Sequence, residues 1–162
     1  MNPLLLEKAE NTVNTLKNKG LKIATAGSCT GGLVAAAITS VSGVSQVYEL
    51  GVTSYSSEIK NQVLGVDKQT LEELGAVSRE TASQMAENIR KIANADLGVS
   101  VTGVAGPGTS EGHPVGYIFI AVAGKNGTEV KLLNIKIEGR QAIREAAACS
   151  LFDLIDDYIK EY

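Results

Sequence analysis

A hydroxyl, a thiol, a second hydroxyl and two glycines follow one another at Ser28-Cys29-Thr30-Gly31-Gly32. They lie between an apolar stretch of strand length, Leu21 to Ala26, and an apolar stretch of helical character, Leu33 to Ile38. A serine on a strand-to-helix turn is placed for acyl transfer, because unpaired N–H groups and the positive helix end face whatever the side chain holds. The plainer reading of Ser28 is a helix cap. Cys29 is a rival nucleophile in the same turn, since a thiol at a helix N-terminus has a depressed pKa. Cys149, among alanines in the last helix, reads as packing. Two more segments rich in small and hydroxyl residues, Thr53 to Lys60 and Thr102 to Gly116, fall at the ends of predicted strands, where α/β sheets build their sites. In the second of these, Gly103, Gly106 and Gly108 either let the backbone approach a ligand or simply make a tight loop.

Hydrolysis of an unactivated amide requires a nucleophile, a base and a holder for the oxyanion. The only histidine, His113, is set in a loop between Gly112 and Pro114, and no Ser-His-Asp or Cys-His-Asp pattern is evident. Lysine is then the expected base. An ordinary lysine is almost wholly protonated at neutral pH. Lowering its pKa by about three units takes roughly 4 kcal/mol, which burial without a carboxylate partner can supply. The single histidine and the lack of a helical His-x-x-x-His pair disfavour metal catalysis. Neither glycine-rich segment carries Gly-x-Gly-x-x-Gly or a Gly-Lys-Ser/Thr ending, so neither matches a nucleotide-binding fingerprint of those kinds.

Holding such segments together requires alternating strands and helices. Asn2 and Pro3 open a helix whose apolar residues are Leu5, Leu6, Ala9, Val13 and Leu16, and Gly20 closes it. Gln46 to Tyr55 is a second strand, weakened by Gly51, and Ser56 to Leu64 is helical. Ser78 caps a helix to about Ala93, with Ala82, Met85, Ala86, Ile89, Ile92 and Ala93 as its core stripe. Leu97 to Thr102 and Tyr117 to Ala123 are short strands, and Gly124-Lys125-Asn126-Gly127 turns the second into Val130 to Ile137. A last helix runs from about Arg140 to Tyr158. The expected architecture is α/β: one domain over residues 1–162, with a mixed sheet of about five strands covered by helices on both faces.

Composition narrows the partners. A chain of 162 residues buries roughly two-thirds of its unfolded surface. Its net charge of −3 is interspersed, aromatic residues are few and Trp is absent, which argues against direct nucleic-acid binding. No apolar run approaches the ~20 residues that span a bilayer, and no basic segment precedes an apolar signal core, so no membrane and a cytoplasmic location are expected. Two cysteines supply neither a disulfide framework nor a zinc-ligand spacing.

The motifs also occur in a recognisable order. Ser28-Cys29-Thr30-Gly31-Gly32, Gly51-Val52-x-x-Tyr55-Ser56-x-x-x-Lys60, Leu64-Gly65-Val66 and Gly75-Ala76-Val77-Ser78 are followed by Met85-Ala86, Thr102-Gly103-x-Ala105-Gly106-Pro107-Gly108 and Pro114-Val115-Gly116. Together, from about residue 5 to residue 158, they resemble the CinA C-terminal domain family. That resemblance implies a three-layer α/β/α fold, here as a stand-alone form where some members carry it behind a molybdopterin-binding-like domain. It also implies a homo-oligomer, a dimer or higher. The implied activity is hydrolysis of the carboxamide of nicotinamide mononucleotide to nicotinate mononucleotide and ammonia, without metal or organic cofactor, so the partner is a small-molecule nucleotide.

On the family pattern Ser28 is the nucleophile and Lys60 the base. Tyr55 would hydrogen-bond Lys60 or Ser28, and Thr102 would position either of them or the amide. Backbone N–H groups around Thr30 to Gly32 would face the oxyanion. Cys29, Thr30, Gly31, Gly32, Gly103, Gly106, Gly108 and Arg140 would hold the substrate, Arg140 matching a Gly-Arg pair ahead of the last helix. Two positions depart from the pattern. Gly27 stands where many members carry a glutamate, which removes a carboxylate beside the nucleophile. His113 replaces the usual lysine before Pro-Val-Gly, with Thr109-Ser110-Glu111 in place of a glycine-richer loop, and a neutral imidazole would weaken any phosphate contact there. The alternatives are a catalytically silent nucleotide- or partner-binding member linked to competence or DNA damage, and a hydrolase of another amide or lactam.

Overall fold

Five strands form an open mixed sheet in the order β2-β1-β3-β4-β5 in the computed structural model, which describes all 162 residues. They are β1 (Ile23–Gly27), β2 (Tyr48–Thr53), β3 (Leu97–Gly103), β4 (Tyr117–Gly124) and β5 (Gly127–Asn134). β1 runs parallel to β2 and β3, and β4 is antiparallel to β3 and β5. The central strands β1 and β3 are buried on both faces, which is why they read as continuous small and apolar runs, whereas the edge strand β5 alternates. Because β1, β2 and β3 point the same way, with Gly27 opposite both Thr53 and Val101, the three segments rich in hydroxyls leave the sheet along one edge.

Helices α1 (Pro3–Lys19), α2 (Leu33–Thr39) and α6 (Arg140–Ile159) cover one face and bury the larger core against it. The Asn2 side chain accepts from the Leu5 N–H at 2.8 Å to start α1, and Gly20, at φ 64°, ends it. On the other face α5 (Arg79–Ala93) lies across the sheet, with α3 (Ser57–Leu64) and α4 (Lys68–Leu74) beside it. Its approach depends on Gly98, where a Cβ would overlap the Ala86 carbonyl, and on the Ser100 hydroxyl, which donates to the Ala82 carbonyl at 2.6 Å. The three-layer α/β/α reading therefore describes the molecule, and no helix is long and apolar enough to cross a membrane.

Four local expectations are corrected. Strand β2 begins at Tyr48 because Val44–Gln46 form a 3-10 turn, and it ends at Thr53, so Tyr55 lies beyond it. Strand β5 begins at Gly127, three residues before Val130, since Gly124 and Gly127 pair directly and only Lys125 and Asn126 form the turn. Helix α4 has only Leu71 and Leu74 as large apolar residues, too few for a helical stripe, and was not expected. Ile92 is 52 % exposed and does not belong to the core stripe of α5.

Candidate active site

At the sheet edge where β1, β2 and β3 end is a cavity of about 260 Å³. Ser28 and Cys29 reach it from the β1–α2 turn, Tyr55, Ser57 and Lys60 from the β2–α3 segment, Thr102 and Gly103 from the end of β3, and Val104 to Gly106 with Gly108 from the loop after it. Ala76, Val77, Ser110, Glu111 and Arg140 complete it. The turn is fixed by the Ser28 N–H donating to Val101 O at 3.2 Å on β3 and the Gly31 N–H donating back to Ser28 O at 2.9 Å. Ser28 is buried, and its hydroxyl makes no hydrogen bond within the protein.

Lys60 is 1 % exposed, although it sits on a short surface helix. Ser56 Oγ caps α3 by accepting the Ile59 N–H at 3.2 Å, and the helical phase then turns Lys60 inward with Leu64. Its Nζ donates to the Ser54 carbonyl at 2.8 Å and meets no carboxylate. Ser54 in turn donates its N–H to Gly27 O at 2.9 Å, so the lysine hangs from the backbone beside the Ser28 turn. Burial pushes the ammonium below the usual lysine range, with Cys29 and Glu111 pulling weakly the other way. Lys60 is thus a desolvated amine within the serine's cavity, and no Ser28–Lys60 hydrogen bond is formed.

Cys29 behaves opposite to expectation. Burial pushes its thiol up to about 11, and the Lys60 and Arg140 cations and its neighbouring N–H groups only partly offset this. Tyr55 is 65 % exposed and hydrogen-bonds neither Lys60 nor Ser28; its hydroxyl accepts from Arg140 Nη2 at 2.9 Å. Arg140 also donates to Gly106 O, so one guanidinium ties the start of α6 to the glycine-rich loop and to Tyr55. Thr102 is buried and donates its hydroxyl to Ala76 O at 2.7 Å, which spends its hydrogen on the segment ahead of α5.

Several expected substrate contacts fall elsewhere. Thr30 and Gly32 line a different cavity behind the turn, and Gly31 lines neither. The Thr30 carbonyl accepts from Arg144 Nη2 at 2.7 Å, a contact from α6 that no sequence pattern indicated. Among the glycines, Gly103 is small because a Cβ would collide with Ile118 on β4, whereas the space at Gly108 is open toward the cavity. His113 does not line the cavity; its ring stacks on Tyr117 with centroids 4.2 Å apart. Glu111, two residues before it, is the charged member that the sequence reading did not single out, as it did not single out Ser57, Ala76, Val77 and Ser110. Its carboxylate accepts the Ala76 and Val77 N–H groups at 3.0 and 2.9 Å, and its backbone takes φ 51° to do so.

Gly27, the other departure from the family pattern, sits at the last position of β1. A Cβ there would lie 3.3 Å from Thr30 Oγ1, and Gly27 lines the cavity behind the turn but not the one that holds Ser28 and Lys60. A Cβ at 27 would therefore stand on the Thr30 side of the turn.

The family model for the CinA C-terminal domain matches residues 6–159 of this chain. The chain belongs to the CinA C-terminal domain family. A CinA-like protein from Kosmotoga olearia is 47 % identical over 148 residues, covering 90 % of this chain and 35 % of that protein. A relative from Caldanaerobacter subterraneus, named as a competence-damage inducible protein, is 46 % identical over 155 residues, 95 % of this chain and 37 % of its own length. The chain thus spans little more than a third of these relatives. Among solved structures, the competence/damage inducible protein CihA from Agrobacterium tumefaciens superposes with a TM-score of 0.92 at 36 % identity, covering 97 % of this chain and 96 % of that one. A CinA superfamily protein from Klebsiella pneumoniae superposes with a TM-score of 0.94 at 28 % identity, over 100 % of both chains. The CinA fold of this chain is therefore the frame that carries the Ser28–Lys60 cavity.

Proposed function

We propose that this CinA domain is an amidohydrolase that removes the carboxamide nitrogen of nicotinamide mononucleotide, with Ser28 as nucleophile and Lys60 as base. The observation that carries the reading is the pairing, in one cavity, of a serine hydroxyl without a protein hydrogen bond and a lysine that is 1 % exposed and has no carboxylate partner. A neutral amine that donates one hydrogen to the Ser54 carbonyl keeps a lone pair that can take the Ser28 proton. Ser28 Oγ then bonds to the carboxamide carbon, Lys60 holds the proton, and that proton leaves with the nitrogen as ammonia. Water attacks the resulting ester in the second half, with Lys60 again taking a proton and returning it to Ser28. The N–H of Cys29, the residue after the nucleophile, makes no backbone hydrogen bond and is the nearest oxyanion donor in chain order.

Arg140 supplies a fixed cation, and the Ala105 and Gly106 N–H groups, also without backbone partners, supply donors suited to a phosphate. The test follows ammonia and nicotinate mononucleotide together, with folded Ser28→Ala and Lys60→Ala proteins alongside. Loss of turnover by about a thousandfold or more in both variants is the expected result. Full turnover by Ser28→Ala refutes the serine mechanism. No turnover by the unsubstituted protein, with tight nucleotide binding retained, replaces the amidase with a silent nucleotide-binding member.

A further inference from the structure

A second cavity, of about 190 Å³, lies behind the Ser28 turn, and the proposed reaction does not use it. It exists because of the alternation along β1: Ala24 and Ala26 pack toward α5, whereas Thr25 and Gly27 face the α2 side of the sheet. Gly27 contributes no side chain, so the volume beside Thr30 is left open.

Thr30 is 1 % exposed, and its hydroxyl has no hydrogen-bond partner in the protein. Its Oγ1 is the atom nearest to where a Gly27 Cβ would stand, at 3.3 Å, so the hydroxyl is aimed into this volume. A hydroxyl that opens on the cavity and has no protein partner is free to pair with a hydrogen-bonding group on an occupant. The Thr25 and Tyr48 hydroxyls, 2.8 Å apart, satisfy each other on the same wall and leave one further hydrogen available. No charged side chain lines the cavity; Thr53 adds one more hydroxyl to its lining, and the remaining side chains are apolar, including Val34, Val101 and Leu151. A charged guest would lose its hydration there without compensation. An apolar cavity of roughly 150 Å³ takes up benzene, so the space admits a single ring with a small substituent.

We propose that this cavity is a second binding site, for an uncharged single-ring compound with one hydrogen-bonding group that meets the Thr30 hydroxyl. The site stands apart from the amidase reading, since Thr30 does not line the Ser28 cavity and binding needs no turnover.

Phenol, benzene and benzoate serve as probes, read by thermal unfolding and by the methyl NMR signals of Val34 and Val101. Phenol should raise the melting temperature in a saturable way and shift both methyls, and benzoate should do neither. Thr30→Val should weaken phenol about five- to tenfold while leaving benzene within about twofold, the signature of one lost hydrogen bond. Ala35→Leu, which fills the cavity from α2 and changes no polar group, should abolish binding of both rings, and it decides the matter if Thr30→Val does not fold. Phenol that moves neither readout, or that binds Ala35→Leu as well as the unsubstituted protein, overturns the proposal. Equal losses for phenol and benzene in Thr30→Val overturn the role given to the hydroxyl.

Discussion

Replacing Lys60 by Met tests the desolvated amine without reference to any substrate. Lys60 is buried, donates to Ser54 O and has no carboxylate partner, and burial lowers its pKa in the folded chain. In the unfolded chain it titrates near its ordinary value, about 10.4. Between those two values the unfolded state binds more protons than the folded one, so the unfolding free energy rises with pH. The slope reaches up to about 1.4 kcal/mol per pH unit for one proton. Below the folded pKa both states carry the charge, and the burial penalty is full and constant. Above about pH 10.4 both are neutral and the penalty is gone. Lys60→Met keeps a long apolar stem but cannot titrate, and it leaves the Ser54 carbonyl without its donor at a pH-independent cost of about 1–3 kcal/mol. The difference in stability between the two proteins therefore contains a constant offset and a rising part that belongs to Lys60. Urea unfolding of both proteins in steps from about pH 6 to about pH 10 measures it, the other titrating groups largely cancelling in the difference. A flat difference across the range refutes the reasoning: the folded pKa of Lys60 would then lie at or above its ordinary value, and Lys60 could not serve as the base.

Further outcomes follow from the same contacts. The Glu111 carboxylate raises the Lys60 pKa, so in Glu111→Gln the acidic limb of the kcat/KM profile should move to lower pH. The same variant should lose about 1 kcal/mol in chemical denaturation, because an amide offers one oxygen to the Ala76 and Val77 N–H groups. In Arg140→Lys an ammonium cannot span Gly106 O and the Tyr55 hydroxyl together, so initial rates should show KM for the mononucleotide rising about tenfold with kcat little changed. With its thiol at about 11, Cys29 should be alkylated by iodoacetamide at pH 8 at least about a hundredfold more slowly than free cysteine, followed by peptide mass. Rapid labelling of Cys29 would contradict the burial argument.

The fold was legible wherever one local rule acted alone. Asn2 and Ser78 each cap the helix expected of them, because a side-chain oxygen meeting an N–H three residues on is a matter of neighbouring positions. The Lys125-Asn126 hairpin was likewise visible in its flanking glycines. Helix α4 was not, since it leans on α5 through Leu71 and is otherwise held by polar contacts such as Gln84 Nε2 donating to Thr70 Oγ1 at 3.0 Å. Those partners are distant in sequence, and no periodicity encodes them.

The site divides along a sharper line. Ser28-Cys29-Thr30-Gly31-Gly32 reads as one motif in sequence, yet the turn splits it: Ser28 and Cys29 open on one cavity, Thr30 and Gly32 on another. The cause is the two-residue alternation of β1 carried into the turn, which sends Gly27 and Ser28 to opposite sides of the sheet edge. Contiguity in a motif therefore says that residues share a turn and leaves open whether they share a site. The converse holds for Glu111, whose residue type carries no motif and whose carboxylate reaches Lys60's cavity only because a loop folds back onto the Ala76 and Val77 N–H groups. Lys60 lies between these cases. Its position in the family pattern marked it, but its chemistry comes from burial, and burial follows from the phase of α3 relative to Ser56. A shift of that cap by one residue would turn the amine into solvent and restore an ordinary lysine.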